Sequence, residues 1–266
     1  MENKIDNKEA QPAKPDKFRR LLKLSGWIVA LFLFVIVLGG SVTDSKMREC
    51  SNVYIKIDHE NGLFFLDEED IHASILNFYN QDLKGLQMHS IDFVDIEEKL
   101  EAIPFVQRAE IYTGMQGAVH VDVQQKEPLL RIVNNSAVSY YLDVNGQKMP
   151  LSSKFTARVV VATGSVENTD SSEVFHSLLE LCRFIAKDEF WKAQFEQIHV
   201  TESGDFELIP KLGNHIIKFG RVEEMDAKFH KLMIFYKEVL KNFDAEDYRI
   251  INLKFKDQIV CTKNNF

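Results

Sequence analysis

The sequence predicts an α+β protein with a single N-terminal transmembrane helix, a β-α-α-β-β module and a mainly antiparallel β domain with flanking helices. Three observations predict this architecture: an uncharged apolar segment, a stretch that alternates between strand and helix periodicity, and a longer stretch dominated by short strands. We therefore expect five regions: a tail at 1–23, an anchor at 24–42, a spacer at 43–52, a first module at 53–127 and a second module at 128–266.

The anchor segment, residues 24–42, contains no charged side chain. As a helix rising about 1.5 Å per residue it reaches roughly 28 Å, close to the hydrocarbon thickness of a bilayer. Basic residues precede it, and an excess of Lys and Arg marks the cytoplasmic side of a span. The preceding basic residues are Lys14, Lys17, Arg19, Arg20 and Lys23. We expect a single-pass type II topology with the N-terminus inside.

A cleaved signal peptide is the competing interpretation, because Gly39, Gly40 and Ser41 follow the apolar run. The run is longer than a typical signal core once Leu21 and Leu22 are included, and it lacks an A-x-A-like ending. A buried soluble helix fits less well, since the segment has no polar face for water. An uncleaved anchor is the preferred expectation.

In the first module, Val53–Ile57 alternates as a half-buried strand does. Asp67 is a candidate N-cap, followed by Ile71, Ile75 and Phe78 at helical spacing. A second helix is expected from Asp92, with Ile96, Leu100 and Ile103 on one stripe and Pro104 closing it. The remaining strands are expected at Val106–Tyr112 and Ala118–Gln124.

The second module is predicted to consist of short strands interrupted by two amphipathic helices. One helix is expected to start at 171–173 and the other to span Val222–Lys241. The expected strands are Leu129–Val133, Ser139–Val144, Gln147–Leu151, Arg158–Ala162, Gln197–Val200, Asp205–Ile209, His215–Phe219, Arg249–Phe255 and Ile259–Thr262.

Composition and motifs argue against catalysis and nucleic-acid binding. The net charge is −8 with interspersed signs, whereas a nucleic-acid surface requires a basic stripe. The Glu pairs at 68–69, 97–98 and 223–224 are interpreted as first-turn helix residues that complement the macrodipole. The histidines form no metal motif and are expected at the surface or at strand edges: His59, His72, His89, His120, His176, His199, His215 and His230. We predict no cofactor, no metal and no small-molecule substrate.

Cys50, Cys182 and Cys261 are far apart and match no C-x-x-C or metal-binding spacing. An exported chain can oxidise one pair of thiols, so the pairing stays open, with no disulfide as the default. Cys182 lies in an apolar helical pattern and is expected to be buried.

The motif order from residue 96 onwards resembles the FtsQ/DivIB family of bacterial cell-division proteins. Ile96 and Leu100, the stretch Ile103–Ile111 and the Lys126-Glu127-Pro128 sequence resemble the family's POTRA domain. Further similar motifs follow in the family's order: Leu142-Asp143-x-x-Gly146, Lys218-Phe219-Gly220-Arg221 leading to Lys228, and Ile251-x-Leu253-Lys254-Phe255. With the anchor, the resemblance covers essentially the whole chain.

The resemblance implies a non-enzymatic, inner-membrane scaffold for septal cell-wall synthesis, with the bulk of the chain in the periplasm. In the family the last strands bind the FtsB–FtsL pair by strand addition, flanked by a basic and an aromatic residue. Lys254 and Phe255 occupy those positions, although Lys lacks the bidentate pairing of the more frequent Arg. The implied partner-binding residues are Lys254, Phe255, Asp257, Gln258, Ile259, Val260, Cys261 and Thr262.

Two other functions remain open on the sequence. One is a membrane-anchored extracytoplasmic hydrolase or cell-wall enzyme with a site that no motif marks. The other is a POTRA-type export module, which is disfavoured because it would require several POTRA copies or a β-barrel and the sequence motifs indicate neither. The aromatic and Met side chains of Val222–Lys241 are interpreted as a core stripe rather than a binding face.

Overall fold

A computed structural model describes residues 27, 29–35, 48–59, 62–134, 138–166, 172–239 and 247–264. Residue 27 and residues 29–35 are helical. The remainder of the predicted anchor at 24–42, and the tail at 1–23, lie outside the described residues. Among the helices that are described, none is both long enough and apolar enough to span a bilayer.

The first module has the expected β-α-α-β-β order. Its elements are β1 (Asn52–Ile57), α1 (Glu68–Tyr79), α2 (Phe93–Glu101), β2 (Val106–Thr113) and β3 (Ala118–Gln125). They form a three-stranded sheet in the order β1-β3-β2, in which β1 runs parallel and β2 antiparallel to β3.

Both helix starts follow from capping. The Asp67 side chain accepts from the Asp70 N–H while the Asp70 side chain accepts from the Asp67 N–H, which is a reciprocal capping box. Asp92 caps α2 by accepting from the Asp95 N–H at 3.2 Å. Ile71, Ile75, Ile96 and Leu100 are buried, as their helical spacing predicts.

The Glu97-Glu98 pair does not lie in a first turn, contrary to the sequence interpretation. Since α2 begins at Phe93, Glu97 is one turn further on, and its carboxylate accepts from the Ile111 N–H at 2.6 Å. Glu101 accepts in the same way from the Ala109 N–H at 3.2 Å. Two carboxylates of α2 therefore cover backbone donors on β2, the edge strand beside it.

The second module contains one nine-stranded sheet and three α-helices within the described residues. Its elements are β4 (Pro128–Val133), β5 (Ser139–Asp143), β6 (Lys148–Met149), β7 (Val160–Gly164), α3 (Glu173–Ala186), α4 (Glu189–Gln194), β8 (Phe195–Val200), β9 (Phe206–Pro210), β10 (Ile216–Gly220), α5 (Met225–Ile234), a π-helix (Phe235–Val239), β11 (Tyr248–Asn252) and β12 (Val260–Lys263).

The order of the large sheet is β12-β11-β10-β9-β8-β7-β4-β5-β6. Five of its eight strand pairs are antiparallel, as expected of a mainly antiparallel domain, and the other three, β4–β7, β7–β8 and β10–β11, are parallel. Parallel neighbours need a crossover. The segment carrying α3 and α4 supplies it between β7 and β8, and the segment carrying α5 supplies it between β10 and β11. The α+β class is confirmed, and the three parallel pairs are the part of the pairing that the sequence did not predict.

The helices of the second module pack against one face of the large sheet. Leu178, Cys182, Trp191 and Phe229 belong to the same buried cluster as the sheet residues. The Glu223-Glu224 pair precedes α5, which begins at Met225 and not at residue 222. Lys241, the expected end of that helix, lies outside the described residues. His215 was expected at the surface or a strand edge, but its side chain is only 1 % exposed and lies 3.5 Å from the Tyr236 hydroxyl.

The two modules share a second buried cluster. Tyr141 on β5 points to the face opposite Leu142, since successive strand residues alternate, and it packs with the first module's core. The Phe65 ring stacks on Phe105 at 5.1 Å and meets Tyr141 and Phe155 edge-on. The Ala157 N–H donates to the Tyr141 hydroxyl, so the segment between β6 and β7 is held within this contact.

Candidate functional site

The C-terminal strand β12 forms one edge of the nine-stranded sheet. It pairs antiparallel with β11, with Ile251 opposite Cys261 and Asn252 opposite Val260. Val260, Thr262 and Lys263 are exposed, while Cys261 packs partly against the core. Unpaired N–H and C=O groups of an edge strand are a template for pairing with another chain.

The directions of the backbone N–H groups of β12 show which of them an added strand would meet. Asn264 donates its N–H to the Asp247 carbonyl at 2.9 Å, so this N–H points towards β11. Because successive N–H groups of a strand point in opposite directions, those of Cys261 and Lys263 point away from the sheet. If the same alternation extends to Ile259, just before the strand, its N–H also points away from the sheet.

A groove of about 420 Å³ lies beside the edge, between the end of α5 and the segment that leads into β12. Its lining is mainly apolar at the base and polar at the rim. Phe235 and Tyr248 are buried in this region and contact each other edge-to-face at 5.5 Å. The full lining is Lys231, Ile234, Phe235, Tyr248, Asp257, Gln258, Ile259 and Cys261.

The π-helix that starts at Phe235 directly follows α5 at this groove. Single-turn π-helices add one residue to a helical turn and are frequent at functional sites. Ile234, at the end of α5, is a large apolar side chain that remains about half exposed. The groove therefore combines an exposed apolar side chain with an adjacent strand edge.

Lys254 is not a strand residue, because β11 ends at Asn252. Its Nζ lies 2.7 Å from Asp205 Oδ2, and the Arg221 Nε lies 3.5 Å from the other oxygen of that carboxylate. The side chain runs across Gly220, whose φ is +77° and where a Cβ would come within 2.9 Å of Lys254 Cγ. Only glycine fits there without strain or a shift of Lys254.

Lys228 on α5 lies behind this charged group. Its Nζ donates to the Arg221 carbonyl at 2.7 Å and stands 4.7 Å from the centre of the Phe219 ring. Burial lowers the pKa of Lys228, with the Glu223 carboxylate acting in the opposite direction. Lys228 thus fixes the turn after β10 and helps to position Arg221.

The bend that contains Phe255 and Asp257 is held by Lys231. Lys231 Nζ donates to the Phe255 carbonyl at 2.5 Å and to the Lys256 carbonyl at 2.9 Å. The Phe255 ring is about half exposed, and Asp257 and Gln258 are exposed. The bend is therefore ordered from within the chain and presents its side chains to solvent.

The structure brings six of the eight predicted residues together at or next to the edge: Asp257, Gln258, Ile259, Val260, Cys261 and Thr262. Lys254 and Phe255 lie on the connection before them. Lys231, Ile234 and Asp205 were missed by sequence reasoning. Lys231 and Ile234 looked like ordinary residues of an amphipathic helix, and Asp205 lies 49 positions before the lysine that it pairs with.

The described residues carry little that resembles a catalytic centre. They contain no group of three His, Cys, Asp or Glu side chains able to hold a metal ion. Burial raises the pKa of the Cys182 thiol to about 12 and raises the pKa values of Cys50 and Cys261. These thiols are therefore protonated at neutral pH, unlike the thiolate of a nucleophilic cysteine. All three are free, and Cys50 and Cys182 are buried.

In the comparison with known proteins, both modules match models of known domain families. Residues 48–124 match the family model of the POTRA-like domain, and residues 127–262 match that of the FtsQ/DivIB C-terminal related domain. No curated protein matches the chain with significant similarity. Proteins of the FtsQ/DivIB family are membrane-anchored, generally non-enzymatic division scaffolds with partners in the divisome. Since the second match covers just over half of the chain, this protein belongs to the FtsQ/DivIB family.

Proposed function

We propose that this protein is a non-enzymatic, single-pass scaffold of the bacterial inner membrane that binds FtsB-like and FtsL-like division proteins by strand addition to β12. The observation that carries the proposal is the position of β12 at the edge of the large sheet, with the N–H groups of Cys261 and Lys263 directed outward. A strand added there would form main-chain hydrogen bonds, and its alternate side chains would supply specificity.

Residues 24–42 serve in this proposal as an uncleaved anchor, with residues 1–23 in the cytoplasm and both modules in the periplasm. The basic residues before the apolar segment support this orientation. Anchoring confines the protein and its partners to the same membrane. A weak contact between the modules and a partner then gains from a raised effective concentration.

The partner is expected to use the groove as well as the strand edge. Apolar side chains beside the added strand would bury Ile234 and Phe255, which are about half exposed in the isolated chain. Hot spots of protein interfaces are typically such anchors surrounded by polar contacts. An acidic residue of the partner would approach Lys254 and Arg221, which flank the carboxylate of Asp205.

Ile259→Pro tests strand addition, because proline removes an outward N–H at the start of the edge. The matched control is Ile259→Val, which keeps the N–H and most of the apolar side chain. Loss of one hydrogen bond of about 1.4 kcal/mol weakens affinity about tenfold. The measurement is the Kd of the full-length chain in lipid nanodiscs for the FtsB-like and FtsL-like pair.

We expect Ile259→Pro to weaken binding by at least about tenfold and Ile259→Val to leave it nearly unchanged. Equal affinity of the two variants would exclude strand addition at this edge. A melting temperature within the error of the unsubstituted chain checks that proline has not unfolded the second module.

A further inference from the structure

The first module has an N-terminal pole, formed by residues 48–51, 85–91 and 113–117, at the end of the sheet where β1 and β3 begin. The Cys50 N–H donates to the Leu86 carbonyl at 2.7 Å, and the Met88 N–H donates to the Arg48 carbonyl at 2.9 Å. The second module contacts the opposite end of the first module, where Phe65 and Phe105 lie. The N-terminal pole therefore faces away from the second module.

The β2–β3 turn is held firmly against the incoming chain at this pole. Ser51 donates its N–H to the Gly117 carbonyl at 2.9 Å. Gly117 has φ +82°, and a Cβ there would come within 2.7 Å of the Glu49 carbonyl oxygen. No residue other than glycine allows this approach without a backbone shift. The turn and the first described residues of the module are consequently one rigid surface.

That surface carries apolar and aromatic side chains that no other part of the described structure covers. Met115, at the tip of the turn, is 84 % exposed. Tyr54 and Tyr112, each about half exposed, stack on either side of His120 with ring centres 5.3 and 5.2 Å away. Tyr112 directly precedes the pole residue Thr113, and Tyr54 lies three strand positions after Ser51, a distance of about 10 Å.

A cleft of about 420 Å³ opens at the same pole. Arg48 and His89 line it together with Met88, Ile91 and Phe93. Glu49, Asp82 and Asp92 are exposed acidic residues in or near these segments, so the pole is not uniformly basic. A cation, an imidazole and apolar groups in one cleft match the chemistry of a phospholipid headgroup and the upper part of its chains.

The length of the chain before the pole identifies what covers it. Residues 43–47 separate the proposed anchor from Arg48, and five residues span at most about 18 Å. The pole therefore lies within that distance of the point where the anchor leaves the hydrocarbon. Tyr side chains favour this interfacial depth because their rings are apolar and their hydroxyls are polar.

We propose that the N-terminal pole rests on the outer leaflet of the membrane, with Met115 inserted among the lipids and Tyr54 and Tyr112 at headgroup level. The inference rests on the proposed membrane anchoring, but not on strand addition at β12. This contact orients the first module against the bilayer, so the second module, at the opposite end, is held away from the membrane. The β12 edge of the second module is thereby held at a fixed height above the membrane, where partners can reach it.

Photo-crosslinking tests this contact on the full-length chain. Benzoylphenylalanine replaces Met115, Leu212 or Leu31 in separate samples reconstituted in phospholipid nanodiscs, and mass spectrometry measures adducts with lipid. Leu212, between β9 and β10, is 71 % exposed and is the matched control for an exposed apolar position in the second module. Leu31 lies in the proposed anchor. The exposure of Met115 makes substitution there compatible with folding.

We expect the yield of lipid adducts at residue 115 to be at least about tenfold higher than at residue 212. An apolar side chain at residue 115 is proposed to lie among the lipids, whereas residue 212 is on the second module, away from the membrane. Adducts at 31 without adducts at 115 would overturn the inference while leaving the anchor intact. Absence of adducts at both 31 and 115 would overturn the anchoring as well. Protein–protein adducts at 115 in place of lipid adducts would assign the pole to a second copy of the chain and contradict the proposal.

Discussion

At the scale of single residues, Lys254 has two competing partners. One is Asp205 within the chain, 2.7 Å away, and the other is the acidic residue that a bound strand is proposed to bring. An exposed ion pair contributes little to stability, whereas a charge that becomes desolvated at an interface can contribute much more to binding. The family resemblance identified the lysine, but its position in sequence gave no signal of the internal pair.

Charge reversal separates these two roles. Lys254→Glu is expected to weaken binding of the FtsB-like and FtsL-like pair by about tenfold, because it repels an acidic partner residue. The double variant Lys254→Glu with Asp205→Lys restores an internal ion pair but not the charge at residue 254. Isothermal titration of both variants against the unsubstituted chain measures the difference. Recovery of affinity in the double variant would show that Lys254 acts only inside the chain.

At the scale of elements, β2 and β12 are edge strands of their sheets that differ in whether side chains cover their outward N–H groups. The β2 edge of the first module is covered, since Glu97 and Glu101 accept the N–H groups of Ile111 and Ala109. The described structure provides no such cover for β12. Edge strands that are left open invite pairing with other chains, so the cover makes β2 a poorer site for an added strand than β12.

Glu97→Ala tests the cover on β2. It removes a charge-assisted hydrogen bond, so the Ile111 amide is expected to exchange with deuterium at least about tenfold faster. Glu98→Ala is the matched control, because Glu98 is the neighbouring exposed acid and has the same charge. Hydrogen exchange read by mass spectrometry on the peptide that contains Ile111 is the measurement. Equal exchange in both variants would contradict a protective role for Glu97.

Most elements could be predicted where capping and periodicity agree. Asp67 and Asp92 cap their helices as expected, and Ser172 caps α3 by accepting from the Phe175 N–H. The short helix α4 was missed although Asp188 caps it, because six residues give too little periodicity. The β6 strand covers only Lys148–Met149, which pair with Leu142 and Tyr141, whereas a strand over Gln147–Leu151 was predicted.

Strand pairing could not be read from the sequence. The parallel pairs β4–β7 and β10–β11 join segments that are separated by other strands or by helices. Alternation reports which face of a strand is buried but not which strand lies beside it. For the same reason, the sequence predicted a strand at Ile259–Thr262 but not which strand lies beside it.

At the scale of the whole molecule, the two modules are joined by packing and by an ion pair. Lys154 Nζ lies 2.7 Å from carboxylate oxygens of both Asp67 and Asp70, at the start of α1. The hydrogen bond from Lys154 is the main cause of a lowered pKa at Asp67. The hydrogen bonds that Lys154 donates to the two carboxylates raise the pKa of Lys154.

Lys154→Gln is expected to lower the melting temperature near neutral pH and to have no effect in strong acid. Because the folded pKa of Asp67 is lowered, its contribution is present above its ordinary pKa and is lost as the pH falls through the lowered value. The raised pKa of Lys154 makes its contribution present below the ordinary value and lost as the pH rises through the raised one. Melting curves across pH are the measurement, with Lys211→Gln as the control. A difference that persists in strong acid would rule out the ion pair as its cause.

The proposed anchor, the pole and the strand edge would together form a scaffold with a fixed geometry. The pole is proposed to rest on the bilayer, the aromatic contacts of Phe65 and Tyr141 join the modules, and β12 lies at an outer edge of the second module. A rigid scaffold loses less entropy when a partner strand binds. In the proposed function this partner strand pairs with β12.

Disulfide trapping in living cells tests that claim most directly. The chain carries Thr262→Cys with Cys261→Ser, and the FtsB-like partner carries single cysteines along its periplasmic segment. Strand addition predicts a disulfide chiefly at the partner position directly opposite residue 262 and none at the positions one residue to either side, because only opposed side chains on adjacent strands lie within disulfide range. No disulfide at any position, or equal disulfide yields at three consecutive positions, would contradict pairing at β12.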